Sequence, residues 1–308
     1  DVYKRQGPYT LLPGNPALSH RDKPESPIQH TGHADLVQTQ NGEWWTVLLG
    51  VRKLNGNYYL GRETFLAPAR WQDGRLMLGD PPGDVRRSHG RPNLPWTPWP
   101  ARPAVDSFDS GKLDLAWSFL RTPQEQWWSL QTRPGWLRIA LRPEQTTQLT
   151  NPSLVARRFQ HQKFTAATEI DFEPRGEHDE AGLIAIQNDR FQYRLLVTRS
   201  QGRNVLRLIK VYNPDRKILT ETVVAERSLG EDRFLVMELD GLELRFLTGP
   251  DMSRLSPLGE VQDASVLASN VSGGFIGAFI GMYASSNGQE GGNHADFAQF
   301  LYQPVNDD

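Results

Sequence analysis

The sequence contains no cysteine in 308 residues, which excludes disulfide bridges and thiolate metal sites and leaves packed cores to supply the stability. No apolar run approaches the roughly 20 residues that a helix needs to span a bilayer. Neither sign of charge is in excess, because 34 basic side chains face 36 acidic ones and the formal net charge is −2. Such a balance exerts no general pull on nucleic acid or anionic membrane, so neither is expected as a partner. Helical signals are missing as well, since no segment joins a 3.6-residue apolar period to convincing caps.

What is present reads as strands and turns. Asn41-Gly42 lies between two apolar, β-prone runs, and that dipeptide suits the positive φ angles of a two-residue hairpin turn. Tyr58 to Pro68 reads as a third strand, and Asp73-Gly74 turns it into a fourth through Leu76 and Leu78. Four antiparallel strands in roughly 45 residues make one propeller blade, which cannot bury its faces without neighbouring blades. His33 is expected to open the first strand; in a propeller that strand lines the central axis, so a polar side chain at its beginning faces the channel mouth.

Further on, Pro92, Pro95, Pro98, Pro100 and Pro103 favour extended backbone that cannot join a central sheet. Trp96 and Trp99 within this stretch are expected to pin it onto a folded domain. From Asp106 onward, alternation recurs at Leu113-Leu115-Trp117-Phe119, at Phe164 to Phe172 and at Phe191 to Val197, which implies one buried face per strand and two packed sheets. Asp240-Gly241 is a further hairpin turn. Gly273 to Gly281 reads as a glycine-rich apolar strand, with bends or close approach of another backbone. Asp179-Glu180 is an acidic pair read as solvated.

Several motifs carry a family resemblance. Gly32-His33-Ala34 with the Asn-Gly-Glu-Trp-Trp hairpin, then Leu60-Gly61-Arg62-Glu63-Thr64 and Trp71-Gln72-Asp73-Gly74, resemble the fifth blade of glycoside hydrolase family 43 enzymes. The likeness is to the β-xylosidases and α-L-arabinofuranosidases of that family that carry a C-terminal β-sandwich. Gly7-Pro8-Tyr9 and Asn15-Pro16 resemble the exit from the fourth blade; Asn151-Pro152-Ser153-Leu154 through Arg157-Arg158 and His294-Ala295-Asp296-Phe297 resemble the sandwich. The resemblance implies an all-β chain: the last blade of a five-bladed β-propeller followed by a concanavalin-like jelly-roll β-sandwich. It divides the chain into 1–6, a foreign or artefactual start; 7–82, the C-terminal part of the catalytic propeller; 83–105, a Pro-rich linker; and 106–308, the sandwich.

Glycoside hydrolysis needs a carboxyl pair flanking the scissile bond. The family resembled is inverting, with its acid Glu and both Asp in blades one to four, so none is expected within this chain. Asp35, Glu43, Glu63 and Asp73 accordingly have plain structural readings, and the chain by itself is expected to be inactive. The resemblance implies that His33 sits beneath the sugar pocket, where some members hold a divalent cation, and that Arg62 hydrogen-bonds the terminal sugar. Phe275, with Phe279 behind it, is the candidate for an aromatic wall contributed by the sandwich. Asp106 and Asp296 begin and end the sandwich, where related jelly rolls can hold calcium through oxygen ligands; no cofactor is otherwise required. The expected substrate is a xylo-oligosaccharide or an arabinose-substituted one, oligomerisation is left open, and the alternative is a carbohydrate-binding sandwich without catalytic activity.

Overall fold

The computed structural model describes residues 7–215 and 219–305, so the start read as foreign, residues 1–6, lies outside the described residues. The described residues form two compact units: 7–53 with 62–99, and 54–61 with the described part of 100–305.

In the first unit, β1 (Ile28–Gln38), β2 (Trp44–Arg52), β3 (Glu63–Gln72) and β4 (Arg75–Leu78) form one antiparallel sheet in chain order. The connection from β1 to β2 is a five-residue loop rather than the expected two-residue turn, with Gln38 opposite Trp44 and, of Asn41-Gly42, only Gly42 at positive φ; Asp73-Gly74 joins β3 to β4 with both residues at positive φ. The third strand begins at Glu63 rather than Tyr58, because residues 54–61 are engaged elsewhere. One sheet face buries Ile28, Leu48 and Ala67 beneath Val85, with Leu18 and Phe65 packed alongside. On the other face Val37, Val47 and Leu66 stay exposed, as a blade without a neighbour requires.

His20 ties down the covering segment: its Nδ1 lies 2.7 Å from Ile28 O, and its Nε2 accepts from Val85 N at 3.0 Å. Trp96 and Trp99 do not pin the Pro-rich stretch. Trp99 is 94% exposed, and Trp96 is exposed with the Arg91 guanidinium 5.1 Å above its ring.

The second unit contains β5 (Val105–Asp106), β6 (Ser118–Phe119), β7 (Trp128–Ser129), β8 (Leu137–Ala140), β9 (Ser153–Arg158) and β10 (Lys163–Asp171). It continues with β11 (Glu180–Asn188), β12 (Phe191–Ser200), β13 (Arg203–Tyr212), β14 (Glu221–Ser228), β15 (Phe234–Asp240) and β16 (Glu243–Gly249). The short β17 (Ser256–Pro257) and β18 (Gln262–Asp263) precede a single 3-10 turn and the helix α1 (Ser269–Ser272); β19 (Phe279–Ser285) and β20 (His294–Pro304) close the fold. One sheet is ordered β17-β16-β15-β10-β20-β8-β7, with β18 on β16 and β5 on β20. The other is ordered β14-β13-β12-β11-β19-β9-β6. Their facing side chains make the main core, among them Leu183, Leu195, Leu206, Met237, Ile280 and Phe297. The β15–β16 hairpin turns at Gly241, as its sequence implies.

Three local expectations change. Leu113 to Phe119 is not an alternating strand: Leu115 is 94% exposed, and only Ser118 and Phe119 pair, because Asp106 holds the Trp117 indole and Asp114 closes a turn on Ala116. β11 and β12 are buried on both faces rather than one. The segment 142–151 crosses the outer face, where Thr146 Oγ1 donates to Gln192 Oε1 at 2.7 Å, Gln192 Nε2 donates to the Thr146 carbonyl at 3.0 Å, and Ser285 donates to the carbonyls of Arg142 and Glu144. Ile184, Leu196, Ile209 and Tyr283 belong to a second buried cluster, with Leu120 and Phe279 packed against it. Glu180 is not solvated: it is buried beside Arg194, itself 1% exposed, whose Nη1 lies 3.3 Å from Glu180 Oε1 and whose Nη2 reaches Glu221. Burial pushes the Glu180 carboxyl up, against the pull of Arg194.

Candidate functional site

β1 starts five residues before His33, so His33 is interior to the strand rather than at its opening. Pairing reaches back to Ile28 opposite Arg52, which buries the Ile28 side chain; the extension requires irregularities between Gln29 and Gly32 and again between Gly32 and Asp35. His30 and His33 absorb these with φ of 53° and 50°, a conformation few non-glycine residues adopt. Gly32 lies opposite Leu49, and Leu49 opposite Thr64, so β2 separates the strand of His33 from the segment that leads Arg62 into β3. Both side chains are exposed.

Next to Arg62, Glu63 is fully engaged. Arg52 Nε and Nη2 grip its two oxygens at 2.7 to 3.1 Å, a forked ion pair that commits the carboxylate to a structural role. Asp35 is exposed on β1, and its backbone carbonyl accepts from Thr46. Glu43 caps Asn93 N at 2.8 Å. In the same unit, a cleft of about 580 Å³ is lined by Trp45, Arg52, Glu63, Arg86, His89 and Arg91, among others. His89 accepts from Arg86 N at 3.1 Å, and burial together with the Arg86 charge lowers its pKa. The cross-strand Arg52–Glu63 pair escaped the sequence reading because it depends on register.

In the second unit, residues 54–61 close a tight turn in which Leu54 and Asn57 exchange two 2.8 Å backbone bonds around Asn55 and Gly56, both at positive φ. Tyr59, 1% exposed, and Leu60 then enter the main sandwich core. Ala278 N donates to Tyr59 O at 2.8 Å, Ser269 Oγ donates to Tyr58 O at 3.1 Å, and Gly61 forms an antiparallel bridge with Ile276. Asn55-Gly56 is the same dipeptide signal as Asn41-Gly42 and marks this turn in the sequence.

The expected glycine-rich strand begins only at Phe279. Gly273 and Gly274, with φ of 84° and 87°, bend the chain instead, and Phe275 and Ile276 project at 64% and 52% exposure. Gly277 does meet another backbone: a Cβ there would lie 2.2 Å from Leu60 O.

Asp106 and Asp296 have their carboxylate oxygens occupied by protein donors. Asp106 accepts from Phe108 N at 3.0 Å and from the Trp117 indole at 2.7 Å. Asp296, buried, accepts twice from Arg138 at 2.7 Å and once from Arg133 at 3.0 Å. Among the described residues no three His, Asp or Glu side chains converge as a metal set, and the occupied carboxylates of Asp106 and Asp296 do not fit a bound calcium.

The order of a propeller-blade sheet and a concanavalin-like sandwich agrees with two family matches. Residues 3–76 match glycosyl hydrolases family 43, and residues 105–303 match its beta xylosidase C-terminal concanavalin A-like domain. The chain belongs to glycoside hydrolase family 43. It is 38% identical over 299 residues to the non-reducing end alpha-L-arabinofuranosidase BoGH43B of Bacteroides ovatus, covering 96% of this chain and 55% of that protein. It is 32% identical over 325 residues to a xylan 1,3-beta-xylosidase of a Vibrio species, covering 96% and 58%. The crystal structure of xylan beta-1,4-xylosidase from Bacillus halodurans superposes with a TM-score of 0.88 at 29% identity, covering 96% of this chain and 58% of that one. The chain thus spans little more than half the length of the family 43 relatives it matches.

Proposed function

We propose that this chain is the C-terminal portion of an inverting, exo-acting family 43 glycosidase that releases terminal xylose or arabinose from xylan-derived oligosaccharides. The observation that carries the reading is the match across both units, in order, to relatives named as arabinofuranosidases and xylosidases. His33, Arg62 and Phe275 are its sugar-contacting residues. Arg62 offers a planar fork of donors to neighbouring hydroxyls, and Phe275 offers an exposed aromatic face. A cation near His33 would need ligands beyond those of this chain. The acid and base carboxyls lie in the half of the relatives' length that this chain does not span; the engagement of Glu63 by Arg52 is consistent with that division.

The binding-module alternative requires an open groove on a sheet face. It is disfavoured by the burial of Ile184, Gln192, Arg194 and Leu196 on the outer sheet face, where Thr146 bonds to Gln192. The test uses a protein of the relatives' length with chromogenic β-xyloside and α-arabinofuranoside, following the first-formed sugar by proton NMR. Release of a terminal pentose with inverted anomeric configuration is expected. Retention, or cleavage confined to internal bonds, would overturn the mechanism proposed.

A further inference from the structure

Phe275 and Ile276 are large apolar residues left in solvent, yet the turn that carries them is held firmly. Gly277 meets the Leu60 carbonyl so closely that no side chain fits, and Ile276 pairs with Gly61. From β11, the buried Gln187, 4% exposed, donates from Nε2 to Ile276 O at 2.8 Å. Its Oε1 has no hydrogen-bond partner. Gln187 also borders a cavity of about 90 Å³ walled by Phe119, Leu154, Ile186 and Phe279. Burying an amide whose acceptor oxygen is left unpartnered is unfavourable. A purely apolar residue would suit that wall better, so the gain from Gln187 lies in the one bond it makes.

We propose that Gln187 and Gly277 are positioning residues for Phe275, fixing the exposed ring where it meets the apolar face of the sugar. This rests on the sugar-contacting role given to Phe275 above. Gln187 holds the Ile276 carbonyl from one side, and Gly277 lets the Leu60 backbone close against the other. The backbone that carries the ring is thereby fixed before substrate arrives, which reduces the ordering cost of binding.

A double-mutant cycle in the full-length enzyme tests the inference with a chromogenic pentoside that the enzyme cleaves. Gln187→Met removes the donor at nearly constant length and should raise KM about fivefold, the loss expected of one neutral hydrogen bond, with kcat changing by less than about twofold. In a Phe275→Ala background the same substitution should change nothing further, because it acts only through the ring. An equal effect in both backgrounds, or no effect in either, overturns the positioning role. If Phe275→Ala alone leaves the kinetics unchanged, the assignment of Phe275 fails first and the positioning role falls with it. Should Q187M not fold, as judged by its melting temperature, Gln187→Asn withdraws the amide by one methylene and enters the same cycle with the same outcomes.

Discussion

Gly61 and Gly277 exclude each other's side chains: a Cβ on Gly61 would lie 2.2 Å from Gly277 N, and one on Gly277 would lie 2.2 Å from Leu60 O. Contacts that short do not occur between real atoms, so two backbones meet here at a distance only glycine allows. Gly61 adds a second demand, since its φ is 69°. Gly61→Ala is therefore expected to destabilise the second unit by about 2 kcal/mol or more, combining backbone strain with steric overlap. Chemical denaturation followed by far-UV circular dichroism would measure it; an unchanged midpoint would contradict the close approach.

Tyr59 tests whether residues 54–61 belong to the sandwich core. Its ring packs edge-on to Phe159 at 6.4 Å, and its hydroxyl reaches Gln162 O at 3.3 Å. Tyr59→Ala should cost about 3 to 5 kcal/mol, the range for truncating a buried aromatic. Calorimetry should show the loss in the sandwich transition, which contains the buried Trp117 and Trp127. A second measurement uses a protease site introduced in the exposed stretch at Trp99. The two pieces should co-elute after cleavage, because residues 54–61 on one are part of the core of the other. Clean separation with the sandwich melting unchanged would refute this. It would restore the simpler view of a sandwich that folds from residue 106 alone.

Asp296 supplies an acid-sensitive bond network. Burial pushes its carboxyl up, but the bonds from Arg138 and Arg133 outweigh that and hold its pKa below the ordinary 3.8. A depressed folded-state pKa means that its contribution is complete above the unfolded value and is lost as pH falls through the folded one. Stability should therefore decline below about pH 4, and Asp296→Asn should flatten part of that decline. At neutral pH the same substitution should cost about 3 kcal/mol, since two arginines lose their buried partner. Melting temperatures of both proteins between pH 2 and pH 7 provide the check.

Arg62→Ala in a full-length enzyme should lower kcat/KM roughly ten- to a hundredfold through loss of a charge-assisted hydrogen bond to a sugar hydroxyl. Its exposure means that the melting temperature should move little. Unchanged kinetics in a well-folded variant would make the arginine merely structural.

The chain taken alone should show no glycosidase turnover above a buffer blank with either chromogenic pentoside. Protonating a leaving group and activating water require a positioned carboxyl pair. Glu63 is committed to Arg52, and Asp35 stands exposed on β1. Turnover that vanished on mutating Asp35 or Glu63 would return the catalytic carboxyls to this chain.

Turn chemistry and alternation are local properties, which is why the blade and the sandwich were legible in the sequence. Asn41-Gly42, Asp73-Gly74 and Asp240-Gly241 each turn a hairpin because glycine accepts positive φ at little cost. β10 buries Phe164, Ala166, Thr168 and Ile170 as its alternation says, with the small Ala167 between them buried as well. The family motifs were legible for the same reason, being short and contiguous.

Tertiary structure decided what depends on residues far apart in the chain. Leu113 and Leu115 alternate like strand residues but find no partner strand, and the Asp106–Trp117 bond holds that segment as a loop instead. Glu180 looks solvated in sequence, yet it is buried beside Arg194 of the neighbouring strand β12. The position of His33 inside β1 follows from pairing with β2 that extends through two irregularities. Tyr58 to Gly61 read as the start of the third blade strand, and only long-range packing makes Tyr59 and Leu60 part of a core built mainly from residues after Pro100. Register, burial and close backbone approach are relations between segments, and one segment's composition does not encode them.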